Sequence, residues 1–344
     1  MSAAERVIVL RDLGLGDLLA AIPALRAIAA AWPGATRGLV VHPRNSALVE
    51  LVTAGRSALR PYRCLLSATS LGLAPEIGID LHGNGPLSHG WVLESRPRRF
   101  LGFAHPDCPQ SARCPRWRAG EHEIVRWCRL LAESGIAADP RDLDIELPES
   151  LVARRRRSPG PTIVHPGASA PARRWPAERF AAVVRAEMLA GREVLITGSE
   201  SERALATAIG AAAGLESNRV LAGMTDIGAL ASLAASAERI VCGDTGLAHL
   251  ATALGVPSVV LFGPVAPAEW GPPAEWGPPA ERWWHRSLSH GAGGGDPHGE
   301  IPDPRLLAIE AEEVIAALAE LPPRAAVPRA QRSREEATWR PSSA

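Results

Sequence analysis

The stretch RIVCGDTGLAHLATALGVPSVVLFGP, residues 239–264, contains the pattern that decides the fold. Residues 240–242 are a short apolar run that predicts a buried strand, and the GDTG turn interrupts it. Residues 247–254 then place their apolar side chains on one face of a helix. A Gly-Val-Pro sequence ends that helix, and residues 258–262 predict a second strand. Strand, turn, helix and strand make a βαβ unit, which indicates a parallel sheet.

The turn of this unit is a candidate anion site. Ligands bind at the carboxyl ends of parallel strands, where the sequence places Asp244. The helix that follows directs free N–H groups and the positive end of its dipole at this position, which suits a phosphate. Thr245 adds a hydroxyl, Gly246 lets the backbone come close to a ligand, and His249 lies one turn into the helix. On this turn alone, helix capping by Asp244 or Thr245 is an equally good interpretation.

Composition narrows the class of protein. A chain of 344 residues suggests two domains, and 37 basic against 37 acidic residues argue against duplex nucleic acid as a partner. Apart from histidine, every basic residue is an arginine, so any site that needs a long cationic side chain must use arginine. The five scattered cysteines predict reduced thiols rather than a zinc site or disulfides. We see no signal peptide and no membrane span, and therefore expect a cytoplasmic protein.

The remaining sequence repeats the alternation of strands and helices in two series. The first series predicts strands over residues 7–10, 38–42, 77–81 and 99–103, and helices over 17–32, 45–54 and 121–134. The second predicts strands over residues 162–165, 193–197, 220–221, 240–242 and 258–262, and helices over 176–190, 202–213, 226–237, 247–254 and 312–321. Two such series indicate two Rossmann-like domains with a cleft between them.

These domains are predicted over residues 1–150 and 162–322. Residues 151–161, with four consecutive arginines followed by Pro and Gly, predict a solvated linker, and residues 323–344 predict a disordered tail. A tandem hexapeptide in residues 267–281 and the stretch 286–304 are predicted to be loops.

A second Gly-containing turn follows the first predicted strand. A dinucleotide fingerprint would need a small residue at position 19, and Leu19 there argues against an NAD- or FAD-dependent oxidoreductase. The turn instead delivers Asp17, directly after Gly16, to the beginning of a helix. Two interpretations stay open: a helix cap, or a general base at the domain cleft.

Two further strand ends in the second series carry polar groups. Ser169 and Arg173 follow residues 162–165 and suit a diphosphate, because a hydroxyl and a guanidinium fork both bind phosphate oxygens. An ordinary loop with surface arginines fits equally well. Glu202 follows the next strand, where a carboxylate suits a ribose diol or completes a capping box.

Taken together, five stretches resemble glycosyltransferase family 9, the ADP-heptose:lipopolysaccharide heptosyltransferase group. They are LGLGDLLAAIPALRA (13–27), VHPGASAPARRWPAERF (164–180), TGSESERALA (197–206), LAGMTDIGALASLAASA (221–237) and VCGDTGLAHLATALGVPSVVLFGP (241–264). The combination of a GD motif, a following proline and a later DTG-x2-H in one chain is specific. Either motif alone is weak.

The resemblance implies a GT-B fold and metal-independent, inverting transfer of a sugar from a nucleotide diphosphate, an ADP-heptose-like donor, to a glycan or glycolipid. It implies that Asp17 is the base and that Arg173 replaces the lysine of the family pattern. It also implies that the first domain is on the acceptor side and that the second binds the nucleotide sugar. Asp244 is expected to bind the donor sugar, Thr245 and Gly246 its diphosphate, and Gly16 is a further expected donor contact.

The same resemblance assigns Glu202 to the ribose and Met224 to the adenine side, and His249 matches a family histidine. Loops at 82–85 and 102–105 are expected to shape the acceptor site. The protein is expected to make at most peripheral contact with the inner face of the membrane. The alternatives are a sugar-nucleotide-binding protein without catalysis and a GT-B-type epimerase or hydrolase. The sequence does not specify the acceptor, the donor sugar and base, or the oligomeric state. It also does not specify the roles of residues 267–281 and 154–157.

Overall fold

The structure, a computed structural model, describes residues 6–47, 49, 62–147, 159–272, 284–291 and 293–327. The chain divides into two compact units, unit 1 up to Ile145 and unit 2 from Glu146. Most of the predicted helix over 45–54, the arginine cluster at 154–157 and residues 273–283 of the repeat lie outside the described residues.

Unit 1 contains a parallel sheet in the order β3-β2-β1-β4-β5. Its strands are β1 (Arg6–Leu10), β2 (Thr36–Val40), β3 (Arg63–Leu65), β4 (Ile77–Asp80) and β5 (Arg99–Leu101). Its helices are α1 (Leu15–Ala20), α2 (Ile22–Ala31), α3 (Leu87–Leu93) and α4 (Glu123–Glu133). The sequence patterns missed β3 and α3, because both are short and neither has a complete apolar face.

The order of these strands places two chain segments side by side. The central strand β1 pairs in parallel with β4, and Leu10 stands opposite Asp80 in the register. The segments that leave these two strands therefore begin as neighbours at the carboxyl edge of the sheet. The predicted helix over 17–32 is divided at Ala21, and Pro23 takes the second position of α2, where its missing N–H costs no hydrogen bond.

Unit 2 contains a second parallel sheet, in the order β10-β9-β8-β6-β7. Its strands are β6 (Thr162–His165), β7 (Val194–Ile196), β8 (Arg239–Gly243), β9 (Ser258–Leu261) and β10 (His285–Leu288). Its helices are α5 (Ala177–Leu189), α6 (Arg203–Ala213), α7 (Ile227–Ser236), α8 (Gly246–Ala253), α9 (Pro267–Trp270), α10 (Pro304–Leu307) and α11 (Ala311–Ala319). The opening βαβ unit is β8, α8 and β9, as predicted.

Strand β10 shows that the loop predicted over 286–304 is wrong at its beginning, because His285–Leu288 pair in parallel with β9. The strand lies at the edge of the sheet and its Arg-Ser centre is polar, so it lacks the apolar signal of a buried strand. The predicted strand at 220–221 is only a single bridge between Val220 and Ile196. Helix α9 likewise lies within the predicted loop over 267–281.

Both chain ends of unit 2 pack on its body. Pro161 accepts the N–H of Glu238 at 2.9 Å, so the last predicted linker residue belongs to this unit. Residues 324–326 form a 3₁₀ turn, so the predicted start of the disordered tail at residue 323 is too early. The Arg324 guanidinium donates to the carbonyls of Leu254 and Gly255, which are otherwise unpaired at the end of α8.

A continuous apolar core holds the unit 2 sheet against its helices. Val164 and Val241 from the sheet pack with Phe180 and Val184 of α5 and Val314 of α11. Burying one such side chain stabilises the fold by about 1.5–3 kcal/mol. The strand ends carrying the predicted site residues therefore rest on rigid elements.

Candidate active site

In unit 1, the turn after β1 presents Asp17. This residue lies in the first turn of α1, and its Oδ2 accepts the N–H of Gly14 at 3.1 Å. Its side chain is 27% exposed, so the cap interaction leaves part of the carboxylate accessible. Gly16 lies beside it in the same turn of α1. The cap and the accessible carboxylate exist together, so one predicted role does not exclude the other.

A buried arginine lies behind Asp17. The Arg11 side chain is fully buried, and its Nη2 lies 3.5 Å from Asp17 Oδ1 and 2.9 Å from Glu123 Oε1. Its Nε donates to the Asp17 carbonyl at 3.0 Å, and Nη1 donates to the carbonyl of Leu81. One guanidinium thus joins β1, α1, the end of β4 and α4.

Glu123, at the beginning of α4, balances that charge. Besides Arg11, its carboxylate accepts Trp127 Nε1 at 2.8 Å and forms an ion pair with Arg126. Burial raises the pKa of Glu123, but the guanidiniums of Arg11 and Arg126 outweigh burial and hold the pKa below its usual value. The sequence analysis missed both Arg11 and Glu123. The available signal was an acid on the apolar face of α4, four residues before Trp127, which indicates a buried partner.

A second buried pair lies at the end of β4. His89 Nδ1 contacts Asp80 Oδ2 at 2.6 Å, and His89 Nε2 contacts the Phe103 carbonyl at 2.7 Å. Both partners are acceptors, so the arrangement favours an imidazolium with both nitrogens donating. Burial lowers the pKa of His89, but the hydrogen bonds to Asp80 and Phe103 raise it by more, so the net shift is upward.

In unit 2, the ends of β6 and β8 bring three predicted residues together. Arg173 Nη1 lies 3.3 Å from Asp244 Oδ2, and Arg173 Nη2 donates to Ser169 Oγ at 2.5 Å. Asp244 is 6% exposed, whereas the Arg173 side chain is 22% exposed. Within the described residues, Arg173 Nε is buried without a hydrogen-bond partner. The guanidinium therefore retains capacity for an anionic ligand.

The helix start beside this cluster is also unsatisfied. Thr245 is the N-cap of α8 with no side-chain cap bond, and Gly246 is its first residue. In the part of the chain described, Thr245 Oγ1 is buried without a hydrogen-bond partner. It lies next to the Cys242 thiol, a weak hydrogen-bonding group. Burial raises the pKa of Cys242 to about 12, against an opposing effect of Thr245, so this thiol stays protonated. A hydroxyl whose neighbour is such a weak partner, together with the amides of a helix N-terminus, suits a phosphate.

Glu202 covers the loop after β6. Its Oε2 accepts the Ser199 N–H at 2.7 Å, which is half of the predicted capping box. A Cβ at position 167 would lie 2.1 Å from the Glu202 carboxyl carbon, so a side chain there would have to displace this carboxylate. Burial lowers the pKa of His165, against an opposing effect of the Glu202 charge. Glu202 therefore stands over a strand end, where a ribose would be expected.

The last two predicted residues lie at the periphery of this cluster. Met224 is 69% exposed and lines a groove of about 180 Å³ with Thr207, Leu215 and Ala222. His249 packs edge-on against Trp270, with ring centroids 5.7 Å apart. The residues that line this groove do not include Ser169, Arg173 or Asp244. Within the described residues, no group of three or more His, Cys, Asp or Glu could hold a metal ion.

Comparison with known proteins places these features in context. Residues 87–285 match the family model described as glycosyltransferase family 9 (heptosyltransferase). Lipopolysaccharide heptosyltransferase 2 of Escherichia coli K12 is 37% identical over 106 residues, which cover 30% of this chain and 30% of that protein. The matched segment thus spans less than a third of that relative. Lipopolysaccharide heptosyltransferase 1 of Pseudomonas aeruginosa is 28% identical over 300 residues, 76% of this chain and 79% of that protein.

A solved structure agrees with the fold. The E. coli ADP-heptose lipopolysaccharide heptosyltransferase II superimposes with a TM-score of 0.70 at 19% identity, covering 91% of this chain and 97% of that one. In the described part of the protein, no helix combines the length and apolar character needed to cross a membrane.

Proposed function

The chain belongs to glycosyltransferase family 9 and has the GT-B fold predicted from its sequence, and we propose that it transfers heptose from ADP-heptose to a sugar of lipopolysaccharide. The names of its relatives support this donor and this acceptor class. The observation that carries the proposal is the group formed by Ser169, Arg173 and Thr245 at the carboxyl edge of the unit 2 sheet, where Arg173 Nε and Thr245 Oγ1 have no hydrogen-bond partner within the described residues. Such a group suits a diphosphate leaving group.

The donor half of the reaction is assigned to unit 2. The Arg173 guanidinium neutralises charge on the diphosphate as its bond to the sugar breaks. Hydrogen bonds to the leaving group come from the hydroxyls of Ser169 and Thr245 and from the amide of Gly246. The contact of 3.3 Å between Arg173 and Asp244 is longer than a strong charge-assisted hydrogen bond, so a phosphate oxygen competes for this guanidinium. Asp244 then remains available for the sugar hydroxyls. Oriented amides and a guanidinium can do here what a metal ion does elsewhere, so we propose metal-independent transfer.

The acceptor half is assigned to Asp17. Its accessible carboxylate takes the proton of an acceptor hydroxyl, and the resulting oxygen attacks the anomeric carbon while the diphosphate leaves. A single displacement inverts the anomeric configuration and uses one carboxylate, in contrast to the carboxylate pair of a retaining glycosidase. The buried Arg11 contact orients this carboxylate. Glu202 and Met224 are assigned to the ribose and adenine, and His249 to support of the DTG turn.

The decisive variant is Asp17→Asn, which keeps the Gly14 cap but removes the base. We expect kcat for heptose transfer to heptose-free or single-heptose lipopolysaccharide to fall about 10²–10⁴-fold. The thermal shift produced by ADP should not change. Asp139→Asn, which weakens an exposed pair with Arg141, is the matched control and should retain full activity. Near-wild-type turnover by folded Asp17→Asn would remove Asp17 from the role of base.

Inversion at the anomeric carbon and independence of metal ions are tested by separate measurements. Proton NMR of the product should show the anomeric configuration opposite to that of the donor, and transfer should persist in excess EDTA. Consumption of ADP-heptose without any acceptor would instead favour a hydrolase. We also propose a cytoplasmic location at the inner face of the membrane, in keeping with five cysteines that are all free thiols.

A further inference from the structure

The segment after β4 carries a histidine that the proposed reaction does not use. The His82 backbone N–H donates to Asp80 Oδ1 at 2.7 Å, and the side chain is partly exposed. Among the residues described, its Nδ1 is buried without a hydrogen-bond partner. Polar side-chain atoms in such a position normally have a partner, so this ring is a candidate for a ligand contact.

The position of His82 in the sheet places it near the proposed base. Strands β1 and β4 are adjacent, and Leu10 is opposite Asp80, so the two following segments leave the sheet together. One of these segments carries His82 and the other carries Asp17. The Asp17 charge is close enough to act on the His82 imidazole.

Several groups determine the charge of this imidazole. Burial lowers the pKa of His82, and the positive charge of Arg11 lowers it further. The carboxylates of Asp80, Asp12 and Asp17 act in the opposite direction, but the net pKa lies below that of a free histidine. The ring is therefore neutral at pH 7. A neutral imidazole offers one donor and one acceptor, which matches a sugar hydroxyl better than it matches a phosphate or carboxylate.

An exposed aromatic ring stands beside His82. The ring centroids of Trp91 and His82 are 5.4 Å apart, with the rings at 80°. Trp91, on α3, is 46% exposed, although a tryptophan of this size normally buries more of its surface. An exposed tryptophan ring next to a polar ring forms a surface with one apolar and one hydrogen-bonding part. Sugar rings present the matching surface, with C–H groups on one face and hydroxyls at the rim.

The support beneath this pair is rigid. Asp80 Oδ1 accepts the N–H groups of His82 and Gly83, while Asp80 Oδ2 holds the buried His89. A Cβ on Gly85 would lie 2.7 Å from the His89 ring, so the turn packs directly on that side chain. The segment over 82–85 is thus held in place before any ligand binds, which lowers the entropy that binding must overcome.

We propose that His82 and Trp91 form the subsite that binds the accepting sugar next to Asp17, and that this subsite prefers a neutral sugar ring to an acidic one. The sugar's C–H face packs on Trp91, and one of its hydroxyls hydrogen-bonds the imidazole of His82. This assignment rests on the proposed function, because it takes Asp17 as the base that the accepting hydroxyl must reach.

The test measures binding without donor or turnover. Saturation-transfer NMR on the full chain at pH 7 compares a methyl glycoside of a neutral heptose with a methyl glycoside of a sugar acid. We expect the neutral glycoside to bind more tightly, and its Kd to rise about tenfold in His82→Ala and in Trp91→Ala. Trp91→Phe should restore most of the affinity. ADP binding should be unchanged in every variant, and His290→Ala, an exposed histidine of unit 2, is the control.

Three results would overturn the subsite: equal binding of the neutral glycoside to wild type and both alanine variants, no binding to wild type, or tighter binding of the acid through His82. The proposed function fails differently, when the protein binds the glycoside yet never transfers heptose from ADP-heptose. In transfer assays, the variants should raise the KM for the acceptor about tenfold and leave the KM for ADP-heptose within twofold. An equal rise in both KM values would indicate a merely structural role.

Discussion

Arg11 in unit 1 and Arg173 in unit 2 both lie at strand ends that carry predicted site residues, yet they have opposite environments. The Arg11 side chain is fully buried, and its donors meet Glu123, Asp17 and the Leu81 carbonyl. The Arg173 side chain is 22% exposed, its contact to Asp244 is long, and its Nε is unpartnered within the described ranges.

The difference shows how an arginine's role depends on its satisfied donors rather than on its place in a motif. A saturated, buried guanidinium is part of the fold, because its removal leaves buried acceptors and a buried carboxylate without partners. An incompletely satisfied one is prepared to bind an anion, at little cost to the surrounding structure. In the proposed mechanism, unit 1 therefore uses arginine to position a base, and unit 2 uses arginine to receive a ligand.

The variant that tests this comparison with the largest expected effect is Arg11→Met. The buried Glu123 loses its main counter-charge, so we expect the free energy of unfolding of unit 1 to fall by about 3–5 kcal/mol. Urea denaturation followed by tryptophan fluorescence measures this change. Arg118→Met, which removes only an exposed pair with Glu133, should cost about 0–1 kcal/mol. Equal stability of the two variants would show that Arg11 is not part of the fold.

The second prediction concerns Arg173→Met, which should destabilise the fold less than Arg11→Met, because the contact to the buried Asp244 is long and the Arg173 side chain is partly exposed. Heptose transfer should fall about 10²–10³-fold, because the leaving diphosphate loses a positioned charge. Arg173→Lys keeps the charge without the planar fork, and should recover part of the lost rate. Steady-state kinetics with ADP-heptose measures both. An unchanged rate for Arg173→Met would place the diphosphate elsewhere.

The smallest expected effect is a pH dependence of the stability of unit 1, and it concerns His89. Its folded-state pKa is raised, so its stabilising contribution is complete below the unfolded pKa of about 6.5 and is lost as pH rises through the folded pKa. One proton limits the slope to about 1.4 kcal/mol per pH unit. Urea denaturation of wild type and His89→Gln from pH 6 to 9 isolates this term. Parallel pH profiles for the two proteins would contradict an imidazolium at this position.

Local sequence patterns predicted most elements of the two sheets. The apolar runs that became β1, β6 and β8 were placed correctly, because strands covered on both faces are apolar throughout. The edge strands β3 and β10 were missed because polar residues interrupt their short runs, whereas the edge strands β5 and β7 were predicted. The motif residues that follow the central strands were also identified, since a strand end followed by a helix start is itself a local pattern.

The partners of those residues could not be predicted in the same way. Arg11 and Glu123 are 112 positions apart, and Arg173 and Asp244 are 71 positions apart. No periodicity relates residues at such separations. The Asp80–His89 pair is closer in sequence, but the 0% exposure of both side chains depends on packing that a local pattern does not contain.

The sequence by itself determined the two α/β units, their parallel sheets and the residues that stand at the strand ends, because burial and helix capping act over a few neighbouring positions. Only the tertiary structure decided that β1 lies beside β4 and that β8 lies beside β6. Those neighbours bring the segment with Asp17 beside the segment with His82, and Arg173 to Asp244. The order of strands in a sheet is decided by long-range packing, and the charges that face one another follow from that order.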